Sequence, residues 1–218
     1  PVPLVIRLGT GASRQLAAQH SHSFEGWYAH IPGIRVVAPA TIDDARGMLA
    51  PALASPDPVL IFEHVSLYNL TGEFTGAWSS ANLDHAAVCR TGSDVSLITY
   101  GASLYKCLDA AAELAKDRIQ AEVVDLRTLR PLDNATIFDS VRRTHRVVIV
   151  DEGWRSGGIS AEIAARIGES CLYELDAPIA RVCTQEVPVP YPRHLEEAAL
   201  PQVRDVVAAV RGMLGGRA

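Results

Sequence analysis

What most limits the folds open to this chain is its strict alternation of strand-sized apolar runs with helical segments. Leu4 to Leu8, Arg35 to Ala38, Val59 to Glu63, Val95 to Tyr100, Gln120 to Leu126, Arg146 to Asp151 and Ile179 to Cys183 read as strands. Phe24 to His30, Thr41 to Ala54, Gly101 to Lys116, Asn134 to Arg143, Ile159 to Ile167 and Gln202 to Leu214 read as helices between and after them. A strand can return parallel to its predecessor only through a crossover, usually a helix, so this order predicts an α/β fold on parallel sheets. The near-continuous apolar run from Arg146 to Asp151 fits a strand buried on both faces.

One stretch breaks the rhythm. Ser66 to Asp84 is rich in Thr, Gly, Ser and Asn and keeps no period, which predicts two units, 1–75 and 86–218, with a linker at 76–85. The second unit restarts with strands at Ala86 to Arg90 and Val95 to Tyr100, and Thr91-Gly92-Ser93-Asp94 between them reads as a hairpin connection. Thr41 is the expected N-cap of its helix, with Asp43 and Asp44 matching the dipole of the first turn.

Bulk properties exclude several classes. The 218 residues, 48% hydrophobic, suffice for one large core or two modest ones. A net charge of −5 leaves no electrostatic footprint for nucleic acid, and no basic stripe marks a membrane surface. Apolar runs are too short for a transmembrane helix, and no secretory pattern opens the chain. Cys89, Cys107, Cys171 and Cys183 are scattered, so neither a disulfide framework nor a zinc site is expected, in keeping with a reducing cytoplasm. The opening Pro1-Val2-Pro3-Leu4 runs straight into a strand without Met or helical lead-in, as expected of a fragment.

Four places carry possible chemistry. Gln19-His20-Ser21 is a polar cluster where a strand gives way to a helix, at the rim where α/β proteins keep their ligand sites. His20 there is placed to donate a hydrogen bond to an anionic substrate or to shuttle a proton. The alternative is that Gln19 and Ser21 cap the following helix. Asp125 and Arg127 follow a strand directly and are placed to pair, with Asp133 placed to cap the next helix. Asp151-Glu152-Gly153-Trp154 through Gly157-Gly158 has the look of a phosphate loop, yet it lacks GxGxxG and a Walker lysine, and its two acids would repel an anion. Those glycines are expected to serve helix packing. Pro188-Val189-Pro190-Tyr191-Pro192 is a stiff segment, either an interface arm or a solvent loop.

In this order, Ala18-Gln19-His20-Ser21, His30-Ile31-Pro32-Gly33, Asp44-Ala45-Arg46-Gly47, Asp125 to Pro131, Asp151-Glu152-Gly153-Trp154 and Val187 to Tyr191 span nearly the whole chain. Together they resemble the C-terminal portion of the β subunits of thiamine-diphosphate-dependent 2-oxoacid dehydrogenases, in particular the pyruvate-decarboxylating component. The resemblance implies a truncated parallel-sheet pyrimidine-binding domain followed by a transketolase C-terminal-type α/β domain. It implies an α₂β₂ assembly in which an α subunit holds magnesium and the diphosphate, a second β subunit pairs with the first, and acyl groups pass to a lipoyl acyltransferase core. It maps the active-site histidine onto His20. It also implies potassium on backbone carbonyls matching Leu4, Ala52, Leu53, Ser55 and Asp57.

The resemblance further implies that the glutamate bonding the aminopyrimidine belongs upstream of Pro1, with no acid of this chain matching it. The chain alone is therefore expected neither to bind the cofactor tightly nor to turn over. The implied activity is oxidative decarboxylation of a 2-oxoacid, most simply pyruvate, with acyl transfer to lipoyl groups, in the cytoplasm or the mitochondrial matrix. The alternatives are a β subunit acting on branched-chain 2-oxoacids or acetoin, a non-catalytic module for β–β pairing and core docking, and a different thiamine enzyme such as a transketolase or a deoxyxylulose-phosphate synthase.

Overall fold

The computed structural model describes residues 1–73 and 82–215. The chain runs through β1 (Val5–Thr10), α1 (Ala17–His20), α2 (Glu25–Ala29), β2 (Arg35–Val37), α3 (Ile42–Gly47), α4 (Leu49–Ala54) and β3 (Val59–His64), then a 3₁₀ turn at Val65–Asn69. It continues through β4 (Ala87–Arg90), β5 (Val95–Thr99), α5 (Ser103–Lys116), β6 (Ala121–Asp125), β7 (Thr128–Arg130), α6 (Asn134–Thr144), β8 (Val147–Trp154), α7 (Ile159–Cys171), β9 (Ala180–Thr184), α8 (Arg193–Ala199) and α9 (Val203–Gly215).

Local chemistry sets several of these boundaries. Thr41 caps α3 in a reciprocal capping box with Asp44, each side chain accepting from the other's backbone N–H. The helix expected over Thr41 to Ala54 is broken at Met48. Pro51 explains the break: it has no N–H for the carbonyl of Gly47, but it is tolerated in the first turn of a new helix. Asp133 caps α6, accepting from the N–H of Thr136 at 3.1 Å, and its other oxygen accepts from the N–H of Ala86 at 3.0 Å.

Two sheets form among the described residues, in the orders β1-β3-β2-β7 and β4-β6-β5-β8-β9. Neighbouring strands are parallel except at one edge of each sheet, where β7 meets β2 and β4 meets β6 antiparallel. The hairpin expected between β4 and β5 is not formed, because β6 lies between them. Their connection crosses the start of β6 instead: Ser93 and Asp94 N–H both donate to the Gln120 carbonyl at 3.0 Å. A β-carbon on Gly92 would meet the Ala121 backbone at 2.3 Å, so this close crossing requires glycine.

Residues 76–81 of the expected linker, and 74–75 before it, lie outside the described residues. Its far end is docked, with Leu83 buried beside Met48 and Ile61, and Arg35 Nη1 bonding the Leu83 carbonyl and the Asp84 carboxylate at 3.2 and 2.6 Å.

The second sheet is covered on both faces. Leu104, Cys107 and Leu114 of α5 and Val206 and Val210 of α9 pack on one side. Ile137 and Val141 of α6 and Ile163 and Ile167 of α7 pack on the other, in a core that continues without a gap into Val36, Leu60 and Phe62 of the first sheet. Each such fully buried aliphatic side chain contributes about 1.5–3 kcal/mol. The two sheets therefore share one core, and the strand ends that meet at its rim are held in register.

Candidate active site

The carboxyl ends of β1 and β3 from the first sheet face those of β5 and β8 from the second, and polar side chains crowd this seam. Such strand ends are where open α/β sheets bind ligands. After β1 the backbone enters the left-handed region at Gly11, Ser13, Gln15 and Ala17. Three of these are not glycine, and each costs about 1–2 kcal/mol, so neighbouring contacts must hold the loop. Ala12 N–H donates to Glu152 Oε1 at 2.9 Å, and Ser13 and Gln15 N–H donate to Glu196 Oε1 at 3.2 and 3.1 Å. At the loop's base, the His64 ring lies where a β-carbon on Gly11 would sit, at 2.0 Å.

Beneath the loop is a buried polar cluster. His64 Nε2 stands 2.9 Å from Glu152 Oε1, and Lys106 Nζ stands 3.5 Å from Glu152 Oε2. Burial alone would raise the Glu152 pKa, but His64, then Lys106 and the Ala12 N–H, outweigh it and hold this carboxyl well below the ordinary carboxylate range. Glu25 behaves oppositely. It is 3% exposed, accepts the Thr10 hydroxyl at 2.7 Å and leaves Oε2 without a partner. Burial, reinforced by the nearby Asp151 carboxylate, pushes its pKa up to about 7. Asp151 accepts from the Tyr100 hydroxyl at 2.6 Å and from the Gly153 and Ser160 N–H groups at 2.7 and 3.1 Å.

A second polar contact ties the units together. Arg127 Nη2 stands 2.7 Å from Asp44 Oδ1, with Asp44 completely buried. The pairing expected between Asp125 and Arg127 takes another form: the Asp125 carboxylate accepts the Arg127 backbone N–H at 3.2 Å, and the guanidinium reaches across the seam to Asp44. Burial, with the Asp44 charge adding to it, raises the Asp125 pKa to about 8.

His20 ends α1 and is exposed at this rim. Gln19 is exposed as well, whereas Ser21 is buried and its hydroxyl has no partner among the described residues. Neither caps the following helix, because Phe24 occupies the N-cap of α2 and no side-chain cap bond forms there.

The five carbonyl positions lie at the opposite end of the first sheet. Leu4 precedes β1 and its carbonyl accepts from Val59 N–H at 2.8 Å; the Ala52 carbonyl accepts from Ser55 N–H at 3.2 Å. The Asp57 carbonyl accepts from Ser55 Oγ at 3.0 Å. Each of these oxygens keeps a second lone pair, and an all-oxygen donor set suits a hard cation.

In the Gly157-Gly158 turn, a β-carbon on Gly158 would meet the Trp154 carbonyl at 2.2 Å, whereas Gly157, at φ +66°, has open space around it. The Pro188–Pro192 segment is anchored through buried Val189, which packs on Ala12 and Leu200. Sequence reasoning missed Glu25, His64, Lys106, Arg127's true partner and Glu196.

A cavity of about 690 Å³ opens elsewhere along the seam, lined in part by Gly26, His30, Arg35, Arg130, Gly158 and Arg166; His20 is not in it. The buried cluster encloses only about 10 Å³, room for one water. Among the described residues no three His, Cys, Asp or Glu side chains converge as metal ligands. Of the seam carboxylates, Glu152 faces His64 and Lys106, whereas Glu25 uses one oxygen on the Thr10 hydroxyl and leaves Oε2 open. The magnesium that accompanies a bound diphosphate therefore finds no set of three such ligands among the described residues.

Comparison with known proteins places these features in a wider set. Residues 1–71 match the model for the transketolase pyrimidine binding domain, and residues 84–206 match that for the transketolase C-terminal domain. The chain is 46% identical to the pyruvate dehydrogenase E1 component subunit beta of Drosophila melanogaster over 99% of its length and 60% of that protein's. Identity is 40% to the subunit of the same name from Rhizobium meliloti, over 97% of this chain and 46% of that one. It is 41% to the acetoin:2,6-dichlorophenolindophenol oxidoreductase subunit beta of Cupriavidus necator, over 98% and 63%. Among solved structures, a split-gene transketolase described as an inactive beta4 tetramer superposes with a TM-score of 0.81 at 26% identity, covering 97% of this chain and 67% of that one. The chain thus spans about half to three fifths of the length of the pyruvate dehydrogenase relatives it matches.

Proposed function

This chain belongs to the transketolase family, joining a pyrimidine-binding unit to a transketolase C-terminal domain, and from that premise we propose that it is part of the β subunit of a 2-oxoacid dehydrogenase, with pyruvate as the first substrate to test. The observation that carries this reading is the 46% identity to a pyruvate dehydrogenase β subunit across both units, seam included. The enzyme it serves would use thiamine diphosphate as an electron sink, with magnesium and the diphosphate held by an α subunit, a second β subunit completing the assembly, and a lipoyl acyltransferase core receiving the acyl group.

Within that assembly the chain's own residues have separable tasks. His20, exposed at the rim, offers its ring N–H to the carboxylate of the 2-oxoacid and serves as a proton relay there. Glu152, with His64 and Lys106, fixes the base of the loop that leads to it. Glu25, with its pKa pushed up to about 7 by burial, can carry a proton beneath the rim, next to Asp151 and Glu152. The carbonyls of Leu4, Ala52, Leu53, Ser55 and Asp57 would hold potassium as a structural ion at the far end of the sheet. Among the described residues no helix is long and apolar enough to cross a membrane. We place the enzyme in the cytoplasm or the mitochondrial matrix.

An acetoin-cleaving β subunit is the second reading, favoured by the 41% identity to the Cupriavidus necator protein. Assembling the full-length subunit with its α partner and measuring turnover on pyruvate, branched-chain 2-oxoacids and acetoin decides between them. Preference for pyruvate with acyl transfer to lipoyl domain supports the first reading. Turnover of acetoin alone moves the chain to the second, and failure to associate with an α subunit removes both.

A further inference from the structure

The loop between β1 and α1 is closed by a segment from the far end of the chain. Its left-handed residues, Gly11, Ser13, Gln15 and Ala17, alternate along the loop, and the backbone N–H groups of Ser13 and Gln15 converge on one acceptor, as in an anion-binding nest. The anion in it is internal. Glu196, 2% exposed on α8, receives both the Ser13 and the Gln15 N–H on the same oxygen, 183 and 181 residues away in sequence. The helix carrying it is itself fastened: Gln185 N–H bonds the Ala199 carbonyl at 2.8 Å, Trp154 Nε1 bonds the Val187 carbonyl at 3.0 Å, and Val189 and Leu200 enclose Ala12.

We propose that Glu196 is a positioning residue, the carboxylate that fills this nest and thereby holds the 11–17 backbone in the form that presents α1 and His20 at the rim. The stiff Pro188–Pro192 segment is the strap that delivers it. The effect on turnover rests on the role proposed for His20, whereas the clamp itself does not.

The test is Glu196→Ala and Glu196→Gln in the intact protein, read by amide hydrogen exchange and by turnover of the assembled enzyme. Glu196→Gln keeps an acceptor oxygen and should leave exchange at Ser13 and Gln15 within threefold of the parent. Glu196→Ala should speed it at least tenfold, while amides of β5 and β8 stay protected. Formate added to Glu196→Ala should refill the nest and slow the exchange again, which mere loss of packing under α8 would not allow. Unchanged exchange in Glu196→Ala overturns the proposal, and so does faster exchange that formate leaves untouched. If global protection collapses instead, formate is added to Glu196→Ser, where slowed exchange supports the clamp and an absent response overturns it. A loosened, formate-responsive loop with full turnover supports the clamp and overturns the assignment of His20.

Discussion

Glu25→Gln should make the protein markedly more stable at pH 8.5 and leave it almost unchanged at pH 4.5. The folded-state pKa of this acid is raised from 4.5 to about 7 by burial and by Asp151. A raised carboxyl pKa means that the folded state binds more protons than the unfolded chain between those two values. Stability contributed by the neutral form is therefore fully present below pH 4.5 and lost as pH climbs to 7. At about 1.4 kcal/mol per pKa unit the loss amounts to about 3 kcal/mol. Glutamine keeps the acceptor for the Thr10 hydroxyl and has no charge to bury, so its own packing cost is the same at both pH values and cancels in the comparison. Urea denaturation at pH 4.5 and 8.5, with m-values checked for equality, gives the difference directly. Parallel pH dependence in parent and variant would refute the idea that Glu25 is held neutral by its surroundings.

Two further substitutions probe the seam. Arg127→Met strands Asp44, which is 0% exposed, and should cost about 3–5 kcal/mol by thermal or urea unfolding; a loss below about 1 kcal/mol would mean the ion pair is dispensable. Gly11→Ala forces a β-carbon onto the His64 ring at φ +82°, whereas Gly33 at φ +84° has nothing within 4 Å. The first should therefore lose at least about 1–2 kcal/mol more than Gly33→Ala, and equal losses would contradict the close approach.

Much of the scaffold is legible in the sequence because its signals are local. Alternating segments, the Thr41 and Asp133 caps and the polar cluster at His20 can each be read within a dozen residues. What escapes is decided by distant partners. The β4–β5 hairpin follows from a turn-like tetrapeptide, but inserting β6 between those strands is a choice made by the whole sheet. Three-residue β7 is too short to show a period and exists because β2, some ninety positions earlier, offers it an edge. Around α2 the aromatic residues are Phe24, Trp27 and Tyr28, yet Trp27 is 67% exposed and Glu25 is 3% exposed. Trp27 stacks on Phe24 at the surface, 4.7 Å between ring centres, while Glu25 turns inward to Thr10. Glu152 is wrong for a phosphate loop for a sound reason: its charge is matched by His64, Lys106 and a backbone N–H that only the folded seam assembles.

The most direct test of the proposed function is His20→Ala in the full-length subunit assembled with its α partner, measured as acyl transfer to free lipoyl domain. Because His20 is exposed, melting temperature should barely move. A catalytic role for this ring predicts turnover lowered by at least about a hundredfold, in the range typical of lost acid–base groups. Turnover equal to the parent's, in a variant that assembles normally, would contradict it.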